Sequence, residues 1–398
     1  MKKHVMITGT GMDGNRTLTC EAKQAIEKAD LLIGAARMLK PFEHCGKPMI
    51  NCYESRRIAG HIAESSYSNI AVLVSGDCGF YSAAGSLLPL LGEYETELVC
   101  GISTPVYFCS RVGLQWSDMR FVSLHGANAP IVRNVCSHRY TFFLLGGSAE
   151  PSIICRRLCE YGREDVQVYI GENLASENER ISKGAARDFI DFKADKLCAL
   201  IVVNDNYERY IPSCIDDDQF IRGGVPMTKA EARGLCVAKL HIGENDVCWD
   251  IGCGTGSVSV EMAFRCRMGR VLAVDKSEEA ISLTRQNMLQ FGCDNIELIC
   301  GSAEDVVEDL PAPDCVFIGG SGGSLESIIK NAATKNPDVK TVITAVSLET
   351  LNKCSEVFAD CGFESEITQV AVTRTRRVGS HTMLAAENPI FIIKRKMS

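Results

Sequence analysis

Aromatic residues are scarce in this 398-residue sequence: Phe, Trp and Tyr together make up 7%. So small a share argues against a broad stacking surface for nucleic-acid bases. A basic excess is also missing. Residues 1–215 carry 23 basic and 24 acidic side chains, residues 216–398 carry 19 and 26, and the net charge is -8. Neither half has the cationic surplus that a phosphate backbone demands. No apolar run approaches the ~18 residues of a membrane span, and "MKKHVMITGTG" reaches glycines too soon for a signal-peptide core. Twenty cysteines are present, yet there is no Cys-x-x-Cys. Several lie in apolar runs, such as Cys198 in "LCALIVV" and Cys248 beside Trp249, where cysteine acts as a small buried residue. The expectation is a soluble, cytoplasmic chain with free thiols, no metal site, and neither nucleic acid nor membrane as partner.

What is present is apolar material, 46% of the residues, in a chain long enough for two or three domains. In the first part "HVMITG", "ADLLIG", "NIAVLVSG", "YTFFLLGG", "VQVYIGE" and "LCALIVVN" read as strands. Amphipathic stretches lie between them, such as "TLTCEAKQAIEKAD" with Thr19 as helix N-cap. That alternation predicts α/β units around a mostly parallel sheet. "DNYERYIPSCIDDDQFIRGG" breaks the rhythm, so the domains are placed at 1–212 and 213–398. The second part adds the strands "VCWDIG", "RVLAVD", "IELICG", "PDCVFIGG" and "TVITAV". "FESEITQVAVTRTRRVG" and "NPIFIIKRK" close it as an antiparallel pair.

Two glycine loops follow strands. In "DIGCGTG", Asp250, Gly252, Cys253, Gly254, Thr255 and Gly256 form a G-x-G-x-G turn, tighter than the G-x-G-x-x-G of nicotinamide folds. This spacing suits S-adenosylmethionine, whose methionine and ribose parts the backbone can approach. Asp275 ends the next strand, where a carboxylate can accept ribose hydroxyls, and Ala303 and Glu304 follow the third, at the adenine position. The other loop, Gly9, Gly11 and Gly14, matches G-x-G-x-x-G literally. The following strand ends in Gly34, where a ribose-binding acid should stand, so a nicotinamide is rejected. "VSGDCGFYS" and "VCGISTPVY" are further strand-to-turn segments. From spacing alone this region is either a small-molecule cleft or plain turn chemistry.

"ITGTGMDGNRTLT", "SGDCGFYS", "GISTPVYFCSRVGLQWSDMRFVSLHG" and "IGENLASENERI" resemble the tetrapyrrole (corrin/porphyrin) methylase family. "MTKAEARG", "DIGCGTGSVSVEMA", "FIGGSGGSLESII", "SLETL" and "NPIFII" resemble the decarboxylating precorrin methyltransferase domain. The resemblance covers nearly the whole chain. It implies a two-lobed tetrapyrrole methylase fold followed by a Rossmann-like class I methyltransferase fold. It also implies two S-adenosylmethionine sites, methylation of a (cobalt-)precorrin at carbons 5 and 15, and loss of the ring C acetate carboxyl, in cobalamin biosynthesis. In the first half the cofactor residues it implies are Gly9, Gly11, Ser75, Gly76, Asp77, Ser103 and Thr104; in the second, Thr228 joins the glycine-turn set. The family usually has proline where this chain has Cys78, and many relatives have proline at Met12. A small-molecule tetrapyrrole is the expected partner, and a homo-oligomer the expected assembly.

Substrate-contact candidates follow from position: Lys229 and Arg233 in "MTKAEAR", Gly320, Ser321 and Gly322 in "GGSGG", and Arg374 and Arg376 in "QVAVTRTRR". The two-residue period puts Val370, Val372, Arg374 and Arg376 on one strand face, where arginines suit a polycarboxylate. Thr228 and Glu231 have the spacing of a capping box. His125 and His381 read as structural histidines rather than acid–base groups. Competing readings are an RNA methyltransferase, and a single-site enzyme with a tetrapyrrole-sensing half.

Overall fold

The computed structural model describes residues 3–124, 129–146, 149–320 and 322–396. Two compact units emerge: Met1–Ala127, Arg139–Arg156 and Asp165–Asp205 form the first, and Asn128–His138, Arg157–Glu164 and Asn206–Ser398 the second.

The first unit contains two five-stranded sheets. One is wholly parallel, in the spatial order Met49–Asn51, Leu31–Gly34, Asn69–Val74, His4–Gly9, Glu95–Val99. Its central strands are apolar at nearly every position because both faces are covered. In Asn69–Val74 the period of two sends Ile70, Val72 and Val74 into one apolar cluster, and Ala71 and Leu73 into the other. Each fully buried aliphatic side chain of this kind stabilises the fold by about 1.5–3 kcal/mol. Helix Cys20–Lys28 covers one face; Thr19 caps it by accepting from the Ala22 amide, and Ala22, Ala25 and Ile26 are buried, as the amphipathic pattern predicts.

The other sheet corrects the expectation of a mostly parallel arrangement. Its order is Met119–Ser123, Tyr140–Leu144, Cys198–Val203, Gln167–Glu172, Arg180–Ala185. Only the first pair is parallel; the remaining three are antiparallel. The short connection from Glu172 to Arg180 leaves no room for a parallel crossover.

The second unit is built on seven strands in the order Ile296–Cys300, Arg270–Asp275, Val247–Ile251, Cys315–Ile318, Lys340–Ala345, Ile390–Arg395, Ser365–Val370. The first five are parallel and the last two antiparallel. The predicted closing pair is present, yet "QVAVTRTRR" is not one strand. It breaks after Val370, and Thr373–Val378 pairs instead with His381–Ala386 in a separate hairpin. The single face assigned to Val370, Val372, Arg374 and Arg376 therefore does not exist. Among the described residues no helix is long and apolar enough to cross a membrane, and all twenty cysteines are free thiols.

Candidate active sites

The carboxyl ends of the second unit's parallel strands surround a cavity of about 670 Å³. Val247–Ile251 is the central strand, and chain order reverses beside it, the place where open α/β sheets bind ligands. Gly252, Gly254 and Gly256 all have positive φ. A Cβ on Gly252 would lie 2.6 Å from the Gly320 carbonyl oxygen, and one on Gly256 2.5 Å from Thr284 Cγ2. Only glycine lets these loops meet. The Gly254 amide donates to Asp275 Oδ2 (3.0 Å) and the Ser277 amide to Oδ1 (2.9 Å), which fixes the strand-end carboxylate against the turn.

Asp250 lines the same cavity and is fully buried. Its Oδ2 accepts from the Ser259 hydroxyl, while Oδ1 has no hydrogen-bond partner. Burial, with the nearby Asp275 charge, pushes its pKa up to about 7, against the opposing Ser259 bond. Thr255 Oγ1 is likewise buried without a partner. An unpaired buried carboxylate oxygen costs stability unless a donor or cation completes it. S-Adenosylmethionine supplies both an ammonium and ribose hydroxyls, so this donor and acceptor set fits it.

Of the residues named from sequence, Thr228, Lys229, Asp250, Gly252, Cys253, Gly254, Thr255, Asp275, Ala303, Gly320 and Gly322 line this cavity; Ser321 lies outside the described residues. Arg233 does not line it. Its side chain is wholly buried, bonding Glu261 Oε1 (2.7 Å), Asp217 Oδ1 (3.1 Å) and the carbonyls of Thr228 (2.6 Å) and Ile215, with its guanidinium 4.7 Å from the Phe220 ring centre. It braces the segment that presents Thr228. The capping box is absent: Lys229 is the N-cap residue, without a side-chain bond, and Glu231 pairs with Arg374, which holds the Glu231 carboxyl below its ordinary pKa. Arg374 also meets Asp217 and Glu387 (3.6 Å each), and Arg376 is exposed on the hairpin. His381 lies on the exposed hairpin as well, and His125 is outside the described residues. Lys276, Glu387 and Asn388 line the cavity unanticipated; Lys276 follows Asp275 directly, and Asn388 opens the quoted "NPIFII".

In the first unit a cavity of about 750 Å³ is lined by Ser75, Gly76, Asp77, Ser103 and Thr104. Gly9 and Gly11 do not line it; they hold its floor together. Gly11 and Gly76 exchange backbone hydrogen bonds (3.1 and 2.7 Å), and a Cβ on Gly9 would lie 2.8 Å from both the Gly101 nitrogen and the Gly76 oxygen. Asp77 accepts from the amides of Gly79 (2.8 Å) and Gly101 (3.0 Å), tying two loops. Cys78, at the family's proline position, has its sulfur 3.2 Å from the carbonyl oxygens of both Ile7 and Val99, between which its single S–H is shared, and burial raises its pKa to about 11. At the other family proline position, the Met12 amide donates to Thr17 Oγ1 (2.9 Å).

Two family models match the chain. Residues 4–190 match tetrapyrrole (corrin/porphyrin) methylases, and residues 218–396 match a precorrin methyltransferase domain. A Pyrobaculum calidifontis protein named "Probable cobalt-precorrin-6B C(15)-methyltransferase (decarboxylating)" is 43% identical over 187 residues, 46% of this chain and 96% of that protein. A Methanothermobacter thermautotrophicus protein of the same name is 39% identical over 183 residues, 45% of this chain and 94% of its own length. A crystal structure described as precorrin-6y C5,15-methyltransferase from Geobacter metallireducens shares 36% identity over 47% of this chain and 98% of its own, with a TM-score of 0.45.

Proposed function

The chain belongs to the decarboxylating precorrin methyltransferase family, and from that premise we propose a two-site enzyme that methylates a precorrin at carbons 5 and 15 and removes the ring C acetate carboxyl. In this reading residues 1–212 carry the carbon-5 transfer, and residues 213–398 the carbon-15 transfer and decarboxylation. The observation that carries it is the second unit's cavity, where the glycine turn meets a buried carboxylate with one oxygen unpaired. The relative that is 43% identical over 187 residues is named for carbon-15 methylation with decarboxylation, which supports that half of the reading.

S-Adenosylmethionine supplies an electrophilic methyl group when bound. Asp250 receives its ammonium, Asp275 its ribose hydroxyls, and the Gly252–Gly256 backbone its close approach. A meso carbon of a reduced tetrapyrrole is already enamine-like, so the main work of the chain is alignment. Lys229 and Lys276 line the cavity and hold peripheral carboxylates. A cation beside the departing carboxylate would stabilise it and oppose its loss, so that group rests against the apolar side chains of half-buried Val370 and Val372, which line the cavity and offer it no cation. The conjugated macrocycle takes the electron pair, and a proton then converts the residual methylene to methyl. In the first unit Ser75, Gly76, Ser103 and Thr104 form the second cofactor site.

The test is the product formed from the reduced precorrin, with and without cobalt, and S-adenosylmethionine labelled with ¹³C in its methyl. Two labelled methyls, at carbons 5 and 15, with loss of one carbon dioxide are expected. So are two S-adenosylhomocysteine molecules bound per chain. One methyl and one bound cofactor would reduce the chain to a single-site enzyme.

A further inference from the structure

The first unit's cavity has features that cofactor binding does not use. Among the described residues, four non-glycine residues have positive φ: Tyr81 (45°), Asn173 (48°), Ala175 (67°) and His241 (47°). Tyr81 and Asn173 line this cavity, and Ala175 sits between Leu174 and Ser176, which also line it. Backbone of this kind persists only where its surroundings hold it, and it gathers at ligand sites. Here the restraints are visible. Asn173 Nδ2 donates to Asp195 Oδ2 (2.6 Å). The Ala175 amide and the Tyr107 hydroxyl both donate to Glu179 Oε2 (2.7 and 2.6 Å).

Tyr81 is the odd member, a bulky aromatic in left-handed backbone with 56% of its surface exposed. Its ring stands edge-on to Phe80 (4.9 Å between centres), which in turn packs edge-on against Phe121 (5.3 Å) and Phe142 (6.0 Å). Among the described residues its hydroxyl makes one hydrogen bond, a long one of 3.4 Å to the Phe121 carbonyl. A rigid aromatic tier thus ends in a ring whose outer surface is left to solvent.

Charge points the same way. Five charged side chains line the cavity: Asp13, Arg37, Lys40, Asp77 and Lys196. The Asp13 oxygens are taken by the amides of Asn15, Arg16 and Thr17 and by the Thr17 hydroxyl, and the Asp77 oxygens by two glycine amides. Lys40 and Lys196 make no ion pair among the described residues. The cavity therefore offers two unengaged ammonium groups and one unengaged aromatic face, a match for a flat, conjugated polycarboxylate.

We propose that Tyr81 is the stacking platform, and Lys40 and Lys196 the carboxylate anchors, that position the tetrapyrrole for methylation in the first unit. This rests on the two-site reading above and assigns residues that it leaves open. Tyr81 is a positioning residue: it sets the plane of the macrocycle and takes no part in bond making.

The test compares the intact chain with Tyr81→Ala, Tyr81→Phe, Tyr81→Gly and the double variant Lys40→Glu/Lys196→Glu. Methylation at carbons 5 and 15 is read separately by ¹³C. Tyr81→Ala and Tyr81→Gly are expected to raise KM for the carbon-5 transfer about tenfold, the order of one lost aromatic stack. S-Adenosylhomocysteine affinity and the carbon-15 step stay unchanged, and Tyr81→Phe behaves as wild type. Glycine accepts the 45° φ without the strain alanine meets there, so Tyr81→Gly should melt no lower than Tyr81→Ala while sharing its raised KM, which separates substrate positioning from folding. The double variant should raise the same KM and lessen its dependence on salt. An unchanged carbon-5 KM in Tyr81→Ala overturns the proposal. So does a KM rise matched by lost S-adenosylhomocysteine affinity, which would give the ring to adenine. A wild-type product without the carbon-5 methyl would instead sink the two-site reading, and this assignment with it.

Discussion

In the proposed reading Asp250 is the side chain that receives the ammonium of the cofactor. Burial raises its pKa to about 7, above the ordinary carboxylate value of about 4. In the free chain its contribution to stability is therefore fully present below about pH 4 and is lost as pH rises through about 7. A cationic ligand reverses the preference, because it pairs with the ionised form. S-Adenosylhomocysteine, which keeps the ammonium, should bind more weakly by up to tenfold for each pH unit below about 7. Titration calorimetry from pH 5 to pH 8 checks this, and Asp250→Asn should abolish the slope. A flat wild-type profile would mean that the unpaired oxygen does not receive the ammonium. The position of Asp250 was legible in the sequence, since an acid before a glycine turn is a local pattern. Its protonation was not, because desolvation is a property of everything packed around it.

Secondary-structure elements show the same division. The apolar strands at sheet centres are evident from sequence, as in "NIAVLV" and "LCALIVV". Three strands that escaped notice in the first unit, Met49–Asn51, Met119–Ser123 and Arg180–Ala185, all lie at the edges of its two sheets. An edge pairs on one side only and stays partly wet, so its sequence carries polar residues and a weak period. The hairpin at 373–386 is exposed over most of its length and has no buried face to announce it. Arg233 misled for the opposite reason. It sits among candidate contacts in sequence, yet the fold spends it on joining helix Ala230–Lys239, helix Ser257–Arg265 and the segment around Asp217. Removing it would leave the Glu261 carboxylate, 2% exposed, without its ion-pair partner, and Asp217 with only the more distant Arg374 and Lys229. Arg233→Met should cost about 3–5 kcal/mol, seen as a lower melting temperature. Lysine would restore little, having no planar fork to reach both acids. A melting curve unchanged by Arg233→Met would refute the bracing role.

Across the whole molecule the free thiols supply a check that needs no substrate. Cys20, Cys100, Cys214 and Cys300 are exposed, and the other sixteen are buried or half-buried. Burial lifts Cys78 and Cys109 to about 11 and Cys236 to about 12, which leaves them protonated and slow at neutral pH. A thiol reagent should therefore titrate about four groups quickly in the native chain and all twenty in denaturant; fewer than twenty in denaturant would reveal a disulfide. By itself the sequence determined the α/β class, the central strands, the two glycine loops and the order of the two family segments. Those features are written in local periodicity and in residue types that few backbones tolerate. Tertiary structure alone decided which charges stay free. Asp77, Asp13, Arg233 and Arg374 are engaged by partners elsewhere in the fold, and Lys229 meets Asp217 at 4.0 Å, whereas among the described residues Lys40 and Lys196 make no ion pair and one oxygen of Asp250 has no hydrogen-bond partner. Whether a charge is spent depends on groups brought near it from distant parts of the chain, and spacing along the sequence does not record them.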